Sequence, residues 1–185
     1  MALAEAALDA VDEVVLVMPR SFPHKSYEGV GLAERIALVR QAVDARAGFS
    51  VAITEGGLFI DIARECRADY GDDCRFWFIC GRDAAERIVG WDYGDGATIG
   101  EQLREFGLLV ADRQGEYAPP AEHGSRIQRL AVPGDWDEVS ATAIRDRIRS
   151  GADWASLVPE QIAGKVERLY GRSLTILESR SRETP

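Results

Sequence analysis

The sequence predicts an α/β domain built on a doubly wound parallel sheet with C-terminal helices, and three observations support this. Short apolar runs alternate with segments of helical periodicity along the chain. Four of the five apolar runs are nearly continuous hydrophobics, as in strands that are covered on both faces. A chain of 185 residues with 46% hydrophobic content is enough for one domain with a core. We expect a single domain over residues 1–178 and a frayed polar tail over 179–185.

The elements follow from these runs in chain order. The predicted strands are Val14–Met18, Phe49–Ile53, Phe76–Cys80, Gly107–Ala111 and Ile127–Val132. The predicted helices are Ala2–Ala10, Leu32–Arg46, Leu58–Tyr70, Ile99–Phe106, Ser140–Ser150 and a last helix from Pro159 to Gly171 that buries Ile162, Val166 and Leu169. In doubly wound sheets, ligands bind at the carboxyl ends of the strands. The segments that follow the strands are therefore the candidate functional loops.

Composition limits the kind of partner. A net charge of −9 and a pI of about 4.8 disfavour nucleic acid and anionic membranes, but not a small phosphorylated ligand held by local cations. The first ten residues carry Glu5 and Asp9 and no positive charge, which argues against a secretory signal. The three cysteines, Cys66, Cys74 and Cys80, are odd in number and lack metal-ligand spacing, so we expect no metal site. We also expect a reducing compartment, with the cytoplasm as the location. The sequence leaves open whether the chain forms a homo-oligomer.

The loops after the first two strands carry candidate binding groups. His24 and Lys25 lie in a Pro- and Gly-containing loop, where they could hold a phosphate or form an exposed basic dipeptide. Gly56 and Gly57 follow the second strand and allow either a turn or a close ligand approach. Asp61 comes in the first turns of the next helix, where it could contact a ligand or complement the helix dipole.

The third and fourth strands are also followed by polar or aromatic candidates. Gly81 and Asp83 follow the third strand, and Asp83 could contact a ligand or cap a helix that begins at Ala84. Trp91 could stack on a flat ring or pack onto the domain. Arg113 directly follows the fourth strand and could reach a phosphate or a carboxylate.

The segment "VSATAIRDRIRSG", residues 139–151, is the strongest anion-binding candidate. Ser140 and Thr142 stand at a helix start, where free backbone N–H groups and the helix dipole favour an anion. On a 3.6-residue helix, Thr142, Arg145 and Arg149 share one sector. These groups form a phosphate cradle, and the alternative is a capped amphipathic helix with solvated arginines.

This segment resembles the Ser-Ser-Thr-x-Ile-Arg motif of nucleotidyltransferases with a Rossmann-like fold. The chain most resembles the bacterial nicotinate-nucleotide adenylyltransferases, and the match runs in order through most of its length. The other stretches that carry it are "VVLVMPRSFPHK", "LAERIALVRQAV", "GLFIDIAREC", "WFICGRD" with the following Trp91, "LLVADR" and "VERLYG".

The resemblance implies a reaction and a set of roles. These enzymes join nicotinate mononucleotide to the AMP part of ATP in NAD biosynthesis and release pyrophosphate, with Mg²⁺ on the triphosphate. Ser140, Thr142 and Arg145 would bind the ATP phosphates, and His24 and Lys25 would lie near them. Gly81 and Asp83 would hold the ATP nucleoside. Trp91 would stack on the pyridine ring, with Asp61 and Arg113 lining the mononucleotide pocket. The catalytic roles would fall to Lys25 and Arg145.

Three departures from the family pattern leave alternatives. Ala141 replaces a serine, and the hydroxyl residues usual around Asp61 are replaced by Leu58, Phe59, Ile62 and Ala63. The family's first strand and its His-x-Gly-His motif precede a helix like "LAEAAL", and neither occurs in these 185 residues. We therefore expect this polypeptide to catalyse slowly or not at all. The alternatives are an adenylyltransferase whose natural start lies upstream, a relative with another acceptor or triphosphate, and a non-catalytic nucleotide-binding module.

Overall fold

Five strands alternate with seven α-helices in the residues that the computed structural model describes, which are 1–21, 29–94, 98–111, 117–134 and 139–171. The elements in order are α1 (Ala2–Ala7), β1 (Val14–Pro19), α2 (Leu32–Val43), β2 (Phe49–Thr54), α3 (Phe59–Tyr70), β3 (Phe76–Gly81), α4 (Arg82–Val89), α5 (Ile99–Glu105), β4 (Phe106–Ala111), β5 (Ile127–Leu130), α6 (Ala141–Ser150) and α7 (Glu160–Val166). Within these ranges, no helix is both long and apolar enough to traverse a lipid bilayer. The tail over 179–185 lies outside the described residues.

All of the strand pairs are parallel, which confirms the predicted α/β class. Strand β1 pairs with β2, from Val14 opposite Phe49 to Pro19 opposite Thr54. Strand β4 lies between β3 and β5 in a second sheet. The strands are thus divided between sheets of two and three strands, and β1 and β3 each have a hydrogen-bonded neighbour on one side only among the described strands.

One hydrophobic cluster joins the two sheets. Ala4 and Ala7 of α1 pack with Val14 of β1, Leu109 of β4 and Leu130 of β5. Each of these five residues is at most 9% exposed, so α1 covers both sheets from one side. This packing makes the two sheets parts of one core.

A second cluster lies on the other face of the larger sheet. Phe59 of α3 stacks on Phe78 with ring centroids 4.1 Å apart and meets Phe106 edge-on at 6.0 Å. Leu108 of β4 is fully buried between the two layers. All six residues of β4 are buried, whereas three of the six residues of β1 and five of the six residues of β3 are only half-buried. The predicted coverage on both faces holds for β4 and for β3, whose alternate residues pack in the two clusters, and β3 is less buried because a strand lies along one of its edges only.

The helix ends differ from the predictions where the backbone changes its geometry. Helix α2 ends at Val43 rather than at residue 46, because Asp44 leaves the helical region and Ala45 has a φ of 58°. Ile162 and Val166 are buried as predicted, but Leu169 is only half-buried. From residue 167 the backbone widens into a π-type turn, which changes the helical period and turns Leu169 out of the buried stripe.

Replacement of Leu58 by serine is expected to stabilise the fold. Leu58 occupies the N-cap of α3 with extended backbone angles (φ −80°, ψ 147°), makes no capping hydrogen bond and is 47% exposed. A serine hydroxyl there can accept from a free N–H of the first turn, so Leu58→Ser should raise the free energy of unfolding by roughly 0.5–1 kcal/mol in urea denaturation. Leu58→Ala removes the same apolar surface without adding a cap. Equal stability of the two variants would contradict the capping argument.

Candidate functional site

The carboxyl ends of the paired strands lie side by side at one edge of each sheet, and they include the predicted site residue Gly81. Pro19 lies opposite Thr54 at the end of the smaller sheet. Gly81 lies opposite Ala111, which lies opposite Leu130, at the end of the larger one. Segments 22–28 and 112–116, which follow β1 and β4, lie outside the described residues. His24, Lys25 and Arg113 fall in these segments, so their roles stay predictions.

Helix α6 begins as the sequence predicts, with a serine cap. The Ser140 hydroxyl accepts a hydrogen bond from the Ala143 N–H at 3.1 Å, and the helix ends at Gly151 in the left-handed region (φ 70°). Arg145 donates from Nη2 to the Thr142 hydroxyl at 3.2 Å. The structure therefore brings Ser140, Thr142 and Arg145 together at one helix terminus.

The first turn of α6 offers donors that an anion could use. The Ala143 and Ile144 N–H groups bond to Ser140, whereas those of Ala141 and Thr142 come before the first intrahelical bond. Thr142 is exposed, and its hydroxyl accepts a hydrogen bond from the guanidinium of the half-exposed Arg145 one turn away. A phosphate placed there would meet N–H groups, a hydroxyl and a delocalised positive charge.

Arg149 lies in the same sector of α6 as Thr142 and Arg145, but its guanidinium already forms an ion pair. Its Nη1 lies 2.7 Å from the Asp146 carboxylate, so its charge is paired within the helix. Ala141, which stands where the resembling motif has a serine, is exposed and at the helix start. Position 141 thus contributes a backbone donor but no hydroxyl.

The end of β3 differs from the predicted arrangement at one residue. Helix α4 begins at Arg82, so Gly81 is its N-cap and Asp83 is the second helical residue. The expectation that Asp83 caps a helix starting at Ala84 is therefore wrong, because the helix starts earlier and a glycine cap has no side chain to offer. The exposed Asp83 carboxylate instead lies in the first turn, where it complements the helix dipole.

Gly81 faces open space. Among the described residues, no heavy atom lies within 4 Å of a Cβ built on Gly81, and its backbone angles (φ −84°, ψ 166°) are accessible to any residue. Neither packing nor backbone geometry therefore requires glycine at this strand end. A ligand that approaches the backbone closely would require it.

The turn after β2 lies against Asp61. A Cβ on Gly56 would come within 2.6 Å of the Asp61 Cβ, so only glycine fits there. Both oxygens of the Glu65 carboxylate accept backbone N–H groups, from Glu55 and Gly56, at 2.8 Å each. Sequence reasoning did not identify Glu65, although its position one helical turn after Asp61 places the two carboxylates on the same face of α3.

The unusual residues around Asp61 are mostly core residues. Ile62 and Ala63 are buried, and Phe59 stacks on Phe78 inside the larger sheet's core. These three positions therefore reflect packing of α3 onto the sheets. Leu58 alone of the four is strongly exposed, so it is the position where the departure could change ligand contacts.

Trp91 and its surroundings lie just beyond α4. Its side chain is 57% exposed, and the nearby Tyr93 hydroxyl donates to the Ile88 carbonyl at 2.8 Å. Burial raises the pKa of Tyr93, which keeps that donor protonated at neutral pH. The indole thus presents a large apolar surface at the end of a segment that Tyr93 anchors.

A cavity of about 440 Å³ lies between α4 and the chain that follows residue 116. Arg82, Glu86, Tyr117 and Pro120 are among its lining residues, and Arg82 Nε lies 2.8 Å from Glu86. Burial raises the pKa of Tyr117. Sequence reasoning did not identify Tyr117, because nothing local shows that this tyrosine returns to the core beside β3.

The cysteines act as apolar residues within the core. Burial raises the pKa of Cys80 to about 11, and burial is also the main cause of the raised pKa of Cys66. Both thiols are therefore protonated and unreactive at neutral pH. All three cysteines are free, as the sequence predicts.

Comparison with known proteins gives a consistent family pattern. The model of the cytidylyltransferase-like family matches residues 1–147, which include the first turn of α6 and the end of β3. The chain is 31% identical to a probable nicotinate-nucleotide adenylyltransferase of Exiguobacterium sibiricum over 86% of its length and 81% of that protein. Proteins of the same description from Geobacter sulfurreducens and Pseudomonas putida are 29% and 28% identical, over 91% and 90% of this chain and 89% and 84% of theirs.

Proposed function

Because the chain belongs to the cytidylyltransferase-like family, we propose that it transfers the adenylyl group of ATP to nicotinate mononucleotide and releases pyrophosphate. The observation that carries the proposal is the start of α6, where the guanidinium of Arg145 donates to Thr142 beside two backbone N–H groups that precede the first intrahelical bond. The names of the similar proteins support this pair of substrates.

In this reaction, a phosphate oxygen of the mononucleotide attacks the α-phosphorus of ATP in line with the leaving group. The new bond joins that oxygen to the α-phosphorus, and the bond to the β-phosphate oxygen breaks, so pyrophosphate leaves with the electron pair. No covalent intermediate with the protein is needed. The protein therefore contributes mainly by positioning the two nucleotides and by neutralising phosphate charge.

The residues divide between the two nucleotides. Thr142, Arg145 and the Ser140 cap hold the triphosphate, with Lys25 and His24 approaching from the loop after β1 in this proposal. Gly81 and Asp83 hold the ATP nucleoside. Mg²⁺ enters as part of the substrate, coordinated by the phosphate oxygens of ATP.

The acceptor nucleotide binds next to ATP, at the carboxyl ends of the strands. Trp91 stacks on the pyridine ring, and Asp61 and Arg113 line the pocket for the mononucleotide. The chain has a net charge of −9, so the few cationic side chains of the proposed site provide the local attraction for anionic substrates. We place the activity in the cytoplasm, in NAD biosynthesis.

Replacement of Gly81 by valine is expected to weaken ATP binding at least about tenfold, while the poorer N-cap of α4 lowers the free energy of unfolding by no more than about 1 kcal/mol. Among the described residues, no atom lies within 4 Å of the added Cβ, so the side chain fits in the free protein but occupies the proposed nucleoside position. Calorimetric titration with Mg–ATP and urea denaturation measure the two effects. Gly164→Val, at an equally open position on α7, is the matched control for binding. Unchanged ATP affinity in Gly81→Val would contradict the nucleoside assignment.

A substrate panel tests the proposed function directly. Nicotinate, nicotinamide, adenosine and cytidine mononucleotides are each offered with each nucleoside triphosphate, and pyrophosphate release and acceptor dissociation constants are measured. We expect nicotinate mononucleotide with ATP to give the highest kcat/KM and the tightest acceptor binding, even where turnover is slow. A triphosphate bound without any acceptor would contradict the proposal and favour a nucleotide-binding module.

A different acceptor is the second candidate, and Leu58 is the observation that favours it. Its apolar side chain is 47% exposed three residues before Asp61, at a position where the resemblance leads us to expect a hydroxyl. A mononucleotide with another base would be preferred at least tenfold in the same panel if this candidate is right.

A further inference from the structure

Glu65 is bound to the protein backbone in a way that suggests a specific role. Its Oε2 accepts the Glu55 N–H and its Oε1 accepts the Gly56 N–H, both at 2.8 Å. Two successive N–H groups that converge on one carboxylate fix the path of the chain between them. Glu65 therefore clamps the turn that leaves the carboxyl end of β2.

The same turn positions Asp61. The Gly56 backbone lies so close that a Cβ would be 2.6 Å from the Asp61 Cβ and 3.0 Å from its Oδ2. Among the described residues, the half-buried Asp61 side chain has no hydrogen bond or ion pair of its own. Within the described part of the chain, the close approach of Gly56 is thus the contact that orients Asp61.

The turn is also joined to the end of β1. The Arg20 N–H donates to the Thr54 carbonyl at 2.8 Å, and the Ser21 hydroxyl donates to the Glu55 carbonyl at 3.0 Å. The buried Thr54 hydroxyl donates to the Gly56 carbonyl at 2.9 Å. A shift of this turn would therefore move Asp61 relative to the strand ends that carry the site.

From these contacts, we propose that Glu65 is a positioning residue for the acceptor nucleotide, acting through Gly56 on Asp61. This inference rests on the proposed function, in which Asp61 lines the mononucleotide pocket. Glu65 does not touch substrate. It holds the turn at the distance that keeps the Asp61 carboxylate aimed at the strand ends.

The test compares acceptor and ATP affinities in variants of Glu65. Glu65→Ala should weaken binding of nicotinate mononucleotide at least tenfold while ATP affinity changes less than twofold, because ATP is assigned to the start of α6 and the end of β3 rather than to this turn. Glu65→Gln keeps one acceptor oxygen and should restore part of the loss. Asp69→Ala removes an exposed carboxylate from the same helix and should leave both affinities unchanged. Faster amide hydrogen exchange at Glu55 and Gly56 in Glu65→Ala would show that the clamp was released.

A double-mutant cycle with Asp61→Asn separates positioning from general stability. Glu65→Ala should add less than a twofold further loss of acceptor affinity in the Asp61→Asn background. Full additivity, equal losses for ATP and acceptor, or unchanged acceptor affinity in Glu65→Ala would each overturn the positioning role. If Glu65→Ala does not fold, the same criteria apply to Glu65→Gln. Failure of the wild-type chain to bind any mononucleotide would contradict the proposed function and this inference together.

Discussion

Replacement of Arg145 by alanine is expected to weaken the binding of Mg–ATP by about 10- to 150-fold, the range that follows from roughly 1.5–3 kcal/mol for a hydrogen bond to a charged group. The guanidinium stands one turn from the α6 start and is held by the Thr142 hydroxyl at 3.2 Å. Its loss leaves the Thr142 hydroxyl and the backbone N–H groups, but no guanidinium, at this helix start for the triphosphate. Calorimetric titration at fixed ionic strength measures the change.

Two further variants sharpen this test. Arg149→Ala removes the same charge from the same helix, but Arg149 is paired with Asp146 at 2.7 Å and should leave ATP affinity within about twofold. Arg145→Lys keeps the charge without the planar fork and should recover only part of the loss. Equal effects of the two alanine variants would mean that net charge, rather than the arrangement at the helix start, attracts the nucleotide.

Replacement of Gly107 by alanine is expected to lower the free energy of unfolding by about 1–3 kcal/mol. Gly107 lies opposite Trp77 in the paired strands β4 and β3. An added Cβ would be 2.5 Å from two indole carbons and 2.9 Å from the Arg126 carbonyl oxygen, so the half-buried Trp77 ring or the backbone must move. Urea denaturation measures the loss.

Gly164→Ala is expected to have the opposite effect on the free energy of unfolding. No atom of the described residues lies within 4 Å of its Cβ, and it replaces a glycine inside helix α7. The change should therefore stabilise by roughly 0.5–1 kcal/mol. Wild-type stability in Gly107→Ala would show that the indole does not pack on the strand as described.

The parts of the fold that local sequence specifies were predictable. All five strands occur within about two residues of their predicted ends, because each is a short apolar run bounded by polar or helical segments. Both ends of α6 were also predictable, because a serine cap marks its start and Gly151 marks its end. The side-by-side placement of Thr142 and Arg145 follows from helical periodicity alone.

Features that depend on contacts between distant segments were not predictable. The division of the strands between two sheets is a property of pairing, which apolar runs do not encode. Glu65 binds a turn nine or ten positions earlier in the chain, and no local pattern marks it. The cap at α4 was misassigned to Asp83 because an aspartate is a better capping residue than glycine, yet the helix begins at Arg82.

The central claim is that ATP binds at the first turn of α6 and the end of β3. The most direct measurement is the change in backbone amide chemical shifts of the ¹⁵N-labelled chain during titration with Mg–ATP. We predict that the largest changes occur at Ala141, Thr142 and Gly81, and that they disappear in Arg145→Ala. Saturable changes confined to other surfaces, such as the cavity beside Tyr117, would contradict the claim.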